Sequence, residues 1–172
     1  MHVHRVIELT YKHTKLCGTV ELFTSNAHSD VTNMTTQIVD AEWKHDLTFE
    51  AHQQDRTIRL MSSPHEDPEH LAVSPKMLLL TGLAGCTGMD VASLLPKMHV
   101  PFTQLRVAVE GTLSDEHPKT YVAMHITYEV WCEEQHLAAI ERAVQLSMST
   151  YCGVYAMLAK ASTITHEVQI VA

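Results

Sequence analysis

The sequence predicts an α+β fold. Two observations carry this reading. Short stretches of apolar–polar alternation stand at both ends and in the middle of the chain, and two long stretches have helical character. Their order is strands, long helix, strand pair, long helix, strand, not the strict strand–helix alternation of a parallel α/β sheet. The 172 residues and 19.3 kDa suit one domain. With 45% apolar and 19% charged residues, the chain can bury a core.

Residues 3–10 and 19–24 read as strands of mixed apolar, polar and β-branched residues, and Ser25 to Asn33 as a polar turn. Ile38–Trp43, Leu47–Ala51 and Thr57–Met61 read as three more short strands. Residues 62–75 hold Pro64, Pro68 and Pro75 among acids and read as a loop. Ser74-Pro75 then opens a long helix over Lys76–Leu95, with Ser as cap and Pro96 ending or kinking it. This helix is apolar almost all round, which places it in a core or a subunit interface. Gly82, Gly85 and Gly88 recur on it every three residues. Each costs about 1 kcal/mol relative to Ala in a helix interior, so a close-packed neighbour is expected there. Residues 104–112 and 120–131 alternate as a strand pair. A last helix is read over 134–161, where Leu137, Ile140, Val144, Met148, Tyr151, Tyr155 and Leu158 form one apolar stripe. Residues 163–171 alternate again as a closing strand.

The formal net charge of −8 argues against a nucleic-acid partner and against docking on an anionic membrane surface. No run approaches 18 apolar residues, so no membrane span is expected. The N-terminus has no signal-peptide core, and a cytoplasmic location is the expectation.

Four cysteines stand at 17, 86, 132 and 152, with no Cys-x-x-Cys. In a reducing compartment they read as packing residues or redox-active thiols, not a disulfide framework. The thirteen histidines include His2 and His4, and His65 and His70 around Glu66-Asp67-Pro68-Glu69; the latter reads as an exposed polar loop, and no metal or other cofactor is expected.

Leu83-Ala84-Gly85-Cys86-Thr87-Gly88-Met89-Asp90-Val91 resembles the first-cysteine motif of the OsmC/Ohr family of osmotically inducible and organic hydroperoxide resistance proteins. Ala143 to Ser147 through Tyr151-Cys152-Gly153-Val154 resembles its second-cysteine motif. The closing Ile164-Thr165-His166-Glu167 is similar to the end of the family's YhfA-like branch. The resemblance covers 38–172 and leaves 1–37 as an unassigned N-terminal extension, read as β. It implies antiparallel sheets with two long helices in an intertwined homodimer. By position, it implies that Cys86 attacks an organic hydroperoxide and that Cys152 resolves the sulfenic acid to a disulfide. A dithiol such as a lipoylated protein would then reduce the pair.

A free thiol is only about 3% thiolate at neutral pH, so such chemistry needs a cation nearby. The family's peroxidases use an Arg from the N-terminal sheet and a Glu ten residues before the first cysteine. Here the Glu position is Lys76, and Arg56 and Arg59 are candidates for the Arg by element. On a straight helix Lys76 lies about 15 Å along the axis from Cys86. Asp90 shares the helical face of Cys86, where an unpaired carboxylate opposes thiolate formation and a hydrogen-bonded one is structural. Cys17 and Cys132 are secondary candidates. Two other functions fit the same residues: a non-enzymatic protein that binds a small apolar ligand in the dimer cavity, and a binding protein switched by its cysteine pair.

Overall fold

In the computed structural model, the structure describes residues 36–171. The strands read at 3–10 and 19–24, together with His2, His4 and Cys17, lie outside them.

The architecture is α+β, built on two three-stranded sheets. The first is a meander of β1 (Asp40–His45), β2 (Thr48–Gln53) and β3 (Arg56–Met61), all antiparallel. Its two-residue turns place Asp46 and Gln54 at positive φ, where glycine is the usual choice. That choice explains why no turn signal stood out in the sequence. Among the described residues, this sheet makes its contacts almost entirely within itself. Trp43 and Phe49, paired across β1 and β2, remain exposed.

The loop read at 62–75 is more ordered than its proline and acid content suggests. Asp67 is buried in it and accepts backbone N–H bonds from Leu71 and Ala72 at 2.8 Å and from Glu69 at 3.3 Å, with Arg59 Nη1 at 3.4 Å. Burial opposes its ionisation, but the three N–H donors and the Arg59 charge outweigh it and hold the carboxyl below its ordinary range.

Helix α1 (Met77–Lys97) starts one residue later than expected, without a side-chain cap from Ser74. Instead, the Ser74 carbonyl accepts from Leu78 N–H. Pro96 does not end it. The helix runs on to Lys97 and stops where His99 takes a left-handed φ of 57°. The Val100 N–H then reaches back to the Leu95 carbonyl and the His99 N–H to that of Pro96, a Schellman stop sealed by buried Leu95 and Val100. Pro96 sits in the last turn, where its missing N–H leaves one helical bond unmade. α1 is long and apolar enough to cross a membrane by length and composition. Its stripe Leu83, Thr87, Val91, Leu95 is fully buried against the second sheet and the later helices, as in a core helix.

The second sheet has order β4-β5-β6, from β4 (Gln104–Leu113), β5 (Tyr121–Trp131) and β6 (Thr163–Val171). β4 and β5 form the expected antiparallel pair, whereas β6 lies parallel to β5. Central β5 turns Met124, Ile126, Tyr128 and Val130 into the core. Period-two alternation fixes which residues face inward but not strand direction, so the parallel pairing was not legible.

The helix read over 134–161 is three pieces. A short 3₁₀ turn at Glu134–His136 leads into α2 (Leu137–Leu146); Ser147–Tyr151 is a π-helical turn; and α3 (Gly153–Leu158) follows a break at Cys152. The Cys152 N–H bonds the Ser147 carbonyl five residues back, at 2.8 Å, and Cys152 is extended, with ψ 98°. The wide turn rotates the apolar stripe. Ile140, Val144 and Met148 stay inside while Tyr151 turns outward, 56% exposed.

Candidate functional site

The buried stripe of α1 carries Thr87, and the next residue back is Cys86. One turn further on, Asp90 shares the Cys86 face. The break between the π-turn and α3 brings up Cys152. Sγ of Cys86, Sγ of Cys152 and a carboxylate oxygen of Asp90 all lie within 4.8 Å of one another. The two thiols are free. Cys86 is half-buried, whereas Cys152 is 2% exposed.

Cys152 is the residue from which α3 starts, and its sulfur accepts the Tyr155 N–H at 3.3 Å. Burial pushes its thiol up, and the neighbouring Cys86 and Asp90 add to that; the Tyr155 N–H opposes them, and the result is about 11. At neutral pH, Cys152 is a protonated thiol.

Asp90 is held from the other side. Its Oδ2 accepts from Ser147 Oγ at 2.8 Å, Ser147 Oγ lies 3.0 Å from Thr87 Oγ1, and Thr87 Oγ1 lies 2.6 Å from the Tyr128 hydroxyl. Thr87, Ser147 and Tyr128 are fully buried. Burial pushes the Tyr128 phenol up to about 12, against the Thr87 hydrogen bond. Sequence reasoning did not single out Ser147, Thr87 or Tyr128. One signal was present: Thr87 falls between Leu83 and Val91 on four-residue steps, a polar residue at an apolar position.

The supporting cations fall elsewhere. Lys76 precedes the first turn of the unbroken α1, ten residues from Cys86. Arg59 on β3 bonds Glu69 at 2.7 Å and Asp67 at 3.4 Å. Arg56 is exposed, with Asp55 3.6 Å away. Among the described residues, no ion pair or hydrogen bond joins these three to either thiol. Cys132 stands apart at the end of β5, its Sγ 3.6 Å from the Glu133 carbonyl; burial and Glu133 raise its thiol.

Cys86, Asp90 and Cys152 are also, among the described residues, the one group whose donor atoms converge as metal ligands do; two sulfurs and an oxygen would suit a soft divalent ion such as zinc. His65 and His70 form no such group among those residues.

The α1 glycines differ in their surroundings. A Cβ on Gly88 would meet Val107 at 3.3 Å, whereas one on Gly82 or Gly85 would meet nothing within 4 Å. Gly85 and Gly88 line an open groove of about 600 Å³ between α1 and β4, with Met89 and Phe102 on its rim.

Comparison with known proteins agrees with this fold. Protein YhfA of Escherichia coli K12 is 34% identical over 101 residues, which is 59% of this chain and 75% of that protein. A hypothetical protein from Aquifex aeolicus VF5 superposes with a TM-score of 0.66 at 28% identity, covering 81% of this chain and all of that one. The organic hydroperoxide resistance protein OsmC of Legionella pneumophila shares the fold, with a TM-score of 0.60 at 14% identity over 79% of this chain and 98% of that one. The family described as OsmC-like protein matches residues 66–167, the span that contains both thiols, Asp90 and the hydroxyl chain, and this chain belongs to that family.

Proposed function

We propose that the protein reduces organic hydroperoxides through Cys86 and Cys152. The observation that carries this reading is the approach of two free thiols within 4.8 Å at a helix break. Their unequal burial supports a division of roles. The half-buried Cys86 is the thiol that meets substrate, and the buried, protonated Cys152 acts second. In the first step the Cys86 thiolate attacks the outer peroxide oxygen. The O–O bond breaks, the alkoxide leaves and takes a proton as the alcohol, and Cys86 becomes a sulfenic acid. In the second step Cys152 attacks that sulfur, the S–S bond forms and water leaves. A dithiol such as a lipoylated protein returns the two electrons. The cycle requires a reducing compartment, which we assign to the cytoplasm.

The apolar surface of α1, with Met77, Leu79 and Met89 exposed, favours a bulky organic peroxide over hydrogen peroxide and a second copy of the chain as neighbour. The open groove beside Gly85 supports a second reading, in which a small apolar ligand binds there without chemistry.

The test is a stopped-flow titration of the reduced protein with cumene hydroperoxide, with thiols counted and disulfides mapped by mass spectrometry. Rapid loss of two thiols per chain with a Cys86–Cys152 bond is expected, and Cys86→Ser abolishes peroxide consumption. Continued consumption by Cys86→Ser overturns the assignment, and inert thiols turn the search to ligands of the groove.

A further inference from the structure

The four-member chain of oxygens ending at Asp90 has only one consistent set of donors. A carboxylate accepts only, so Ser147 Oγ–H points at Asp90 Oδ2. Ser147 has then spent its single proton and accepts from Thr87, which in turn accepts from the Tyr128 O–H. Ser147 and Thr87 are sealed from water. Every hydroxyl proton in the chain thus points towards Asp90. The chain occupies Oδ2 and, among the described residues, leaves Oδ1 without a hydrogen-bond donor. Asp90 also lines a small surface cleft of about 210 Å³ with Ser93, Leu94, Lys97 and Tyr151. The carboxylate therefore lies within 4.8 Å of both sulfurs on one side and lines a cleft open to solvent on the other.

We infer that Asp90 is the base that removes the proton from Cys152 during disulfide formation, with Ser147, Thr87 and Tyr128 as the residues that position it. The inference rests on the peroxidase reading for its biological step, but the proton transfer itself does not need a peroxide. As the Cys152 sulfur attacks the Cys86 sulfenic sulfur, its proton passes to Asp90. The S–S bond forms and the S–O bond breaks. The departing hydroxide takes the proton from Asp90 and leaves as water, and the carboxylate is restored. The groups that titrate around this step are Cys86 and Asp90 on α1, Cys152 at the break, Tyr128 on β5, Tyr155 on α3, and Tyr151 and Lys97 at the cleft. A thiol held near 11 needs such a base at neutral pH.

The experiment uses the full chain with Cys17 and Cys132 replaced by serine and 5,5′-dithiobis(2-nitrobenzoate) as probe. The probe forms a mixed disulfide on Cys86 and releases one thionitrobenzoate. Cys152 then attacks that disulfide, releasing the second. Asp90→Asn keeps an acceptor for Ser147 and removes the base. It should slow the second release about a hundredfold at pH 7, read separately from any change in the first. The second release should recover towards the unsubstituted rate as pH climbs and Cys152 ionises unaided. Ser147→Ala, which frees the carboxylate without removing it, should give a smaller loss with the same recovery; its melting temperature and that of Asp90→Asn are recorded alongside. An unchanged second release at pH 7 in both variants overturns the inference. So does slowing that is equal at every pH, the mark of a structural role. If the unsubstituted protein releases both equivalents but leaves cumene hydroperoxide unreduced, the peroxidase reading fails and the role of Asp90 in thiol exchange stands.

Discussion

Thr87 both accepts and donates in the buried hydroxyl chain, and its neighbours do not lose equally when it is removed. Thr87→Val is close in shape but deletes the hydroxyl, leaving the Tyr128 O–H without an acceptor and Ser147 Oγ without a donor. Stranding buried polar groups costs about 1–3 kcal/mol each. Tyr128→Phe takes away one donor and leaves Thr87 bonded to Ser147. Urea unfolding should therefore find Thr87→Val the more destabilising, with the double variant less destabilised than the two losses added. A Tyr128→Phe cost equal to that of Thr87→Val would show that the chain is not directed as drawn. The buried thiol has a pH signature of its own. Cys152 ionises near 11 when folded against an ordinary 9.0, so its contribution to stability is whole below pH 9 and is lost as pH rises through 11. Over that window Cys152→Ser should flatten the fall in melting temperature, and parallel curves would place the thiol in contact with water. At this scale the sequence disclosed the two cysteines and Asp90 by their motifs. It hid the hydroxyl chain, because Thr87 lies 41 residues from Tyr128 and 60 from Ser147, and no local pattern links such positions.

The elements show where local rules were overridden. A proline in the last turn of an apolar helix is a reasonable stop, yet α1 ends on the Schellman geometry at His99. A left-handed histidine costs about 1–2 kcal/mol that glycine does not. His99→Gly should raise stability by up to about 1 kcal/mol in urea unfolding, since part of that gain is offset by the freer unfolded chain. Gly111 on β4 is the opposite case. A Cβ there would sit 2.6 Å from the buried Tyr121 ring and 3.0 Å from Leu80, so Gly111→Ala should cost about 1–3 kcal/mol. A neutral Gly111→Ala would mean that the ring moves freely. The break at Cys152 mattered most and was least visible. Its flanks keep helical spacing on both sides, and one extra residue in a π-turn leaves little trace in composition. That break nevertheless sets the sulfur beside Cys86 instead of leaving it on the flank of a regular helix.

At the scale of the whole molecule, the described residues of one chain leave much apolar surface open. α1 buries the stripe from Leu83 to Leu95, yet Met89 is 70% exposed, and Met77 and Leu79 are open as well. Ile38, Val39, Trp43 and Leu47 add a second apolar surface at and beside the first sheet, which hardly touches the other described elements. Patches of this kind on a soluble monomer mark an interaction surface, and the bare backbone at Gly82 and Gly85 leaves room for a closely packed partner. The proposed homodimer accounts for both surfaces at once. Sedimentation equilibrium should return twice the 19.3 kDa of one chain, and Gly85→Leu or Met89→Glu should shift the protein towards monomer. The same assembly offers a source for the cation that Cys86 lacks among the described residues of its own chain. Arg59 is committed to Asp67 and Glu69, while Arg56 is 82% exposed and, among the described residues, pairs only with the exposed Asp55. If the first sheet of one chain covers α1 of the other, Arg56→Gln should slow sulfenate formation about tenfold or more, the scale of one lost charge interaction near a reacting thiolate. Arg59→Gln should instead loosen the 62–75 loop and lower the melting temperature. A rate that is indifferent to Arg56 and to dilution of the protein would mean that each chain activates its own thiol, and the cation would then have to be sought nearer to α1.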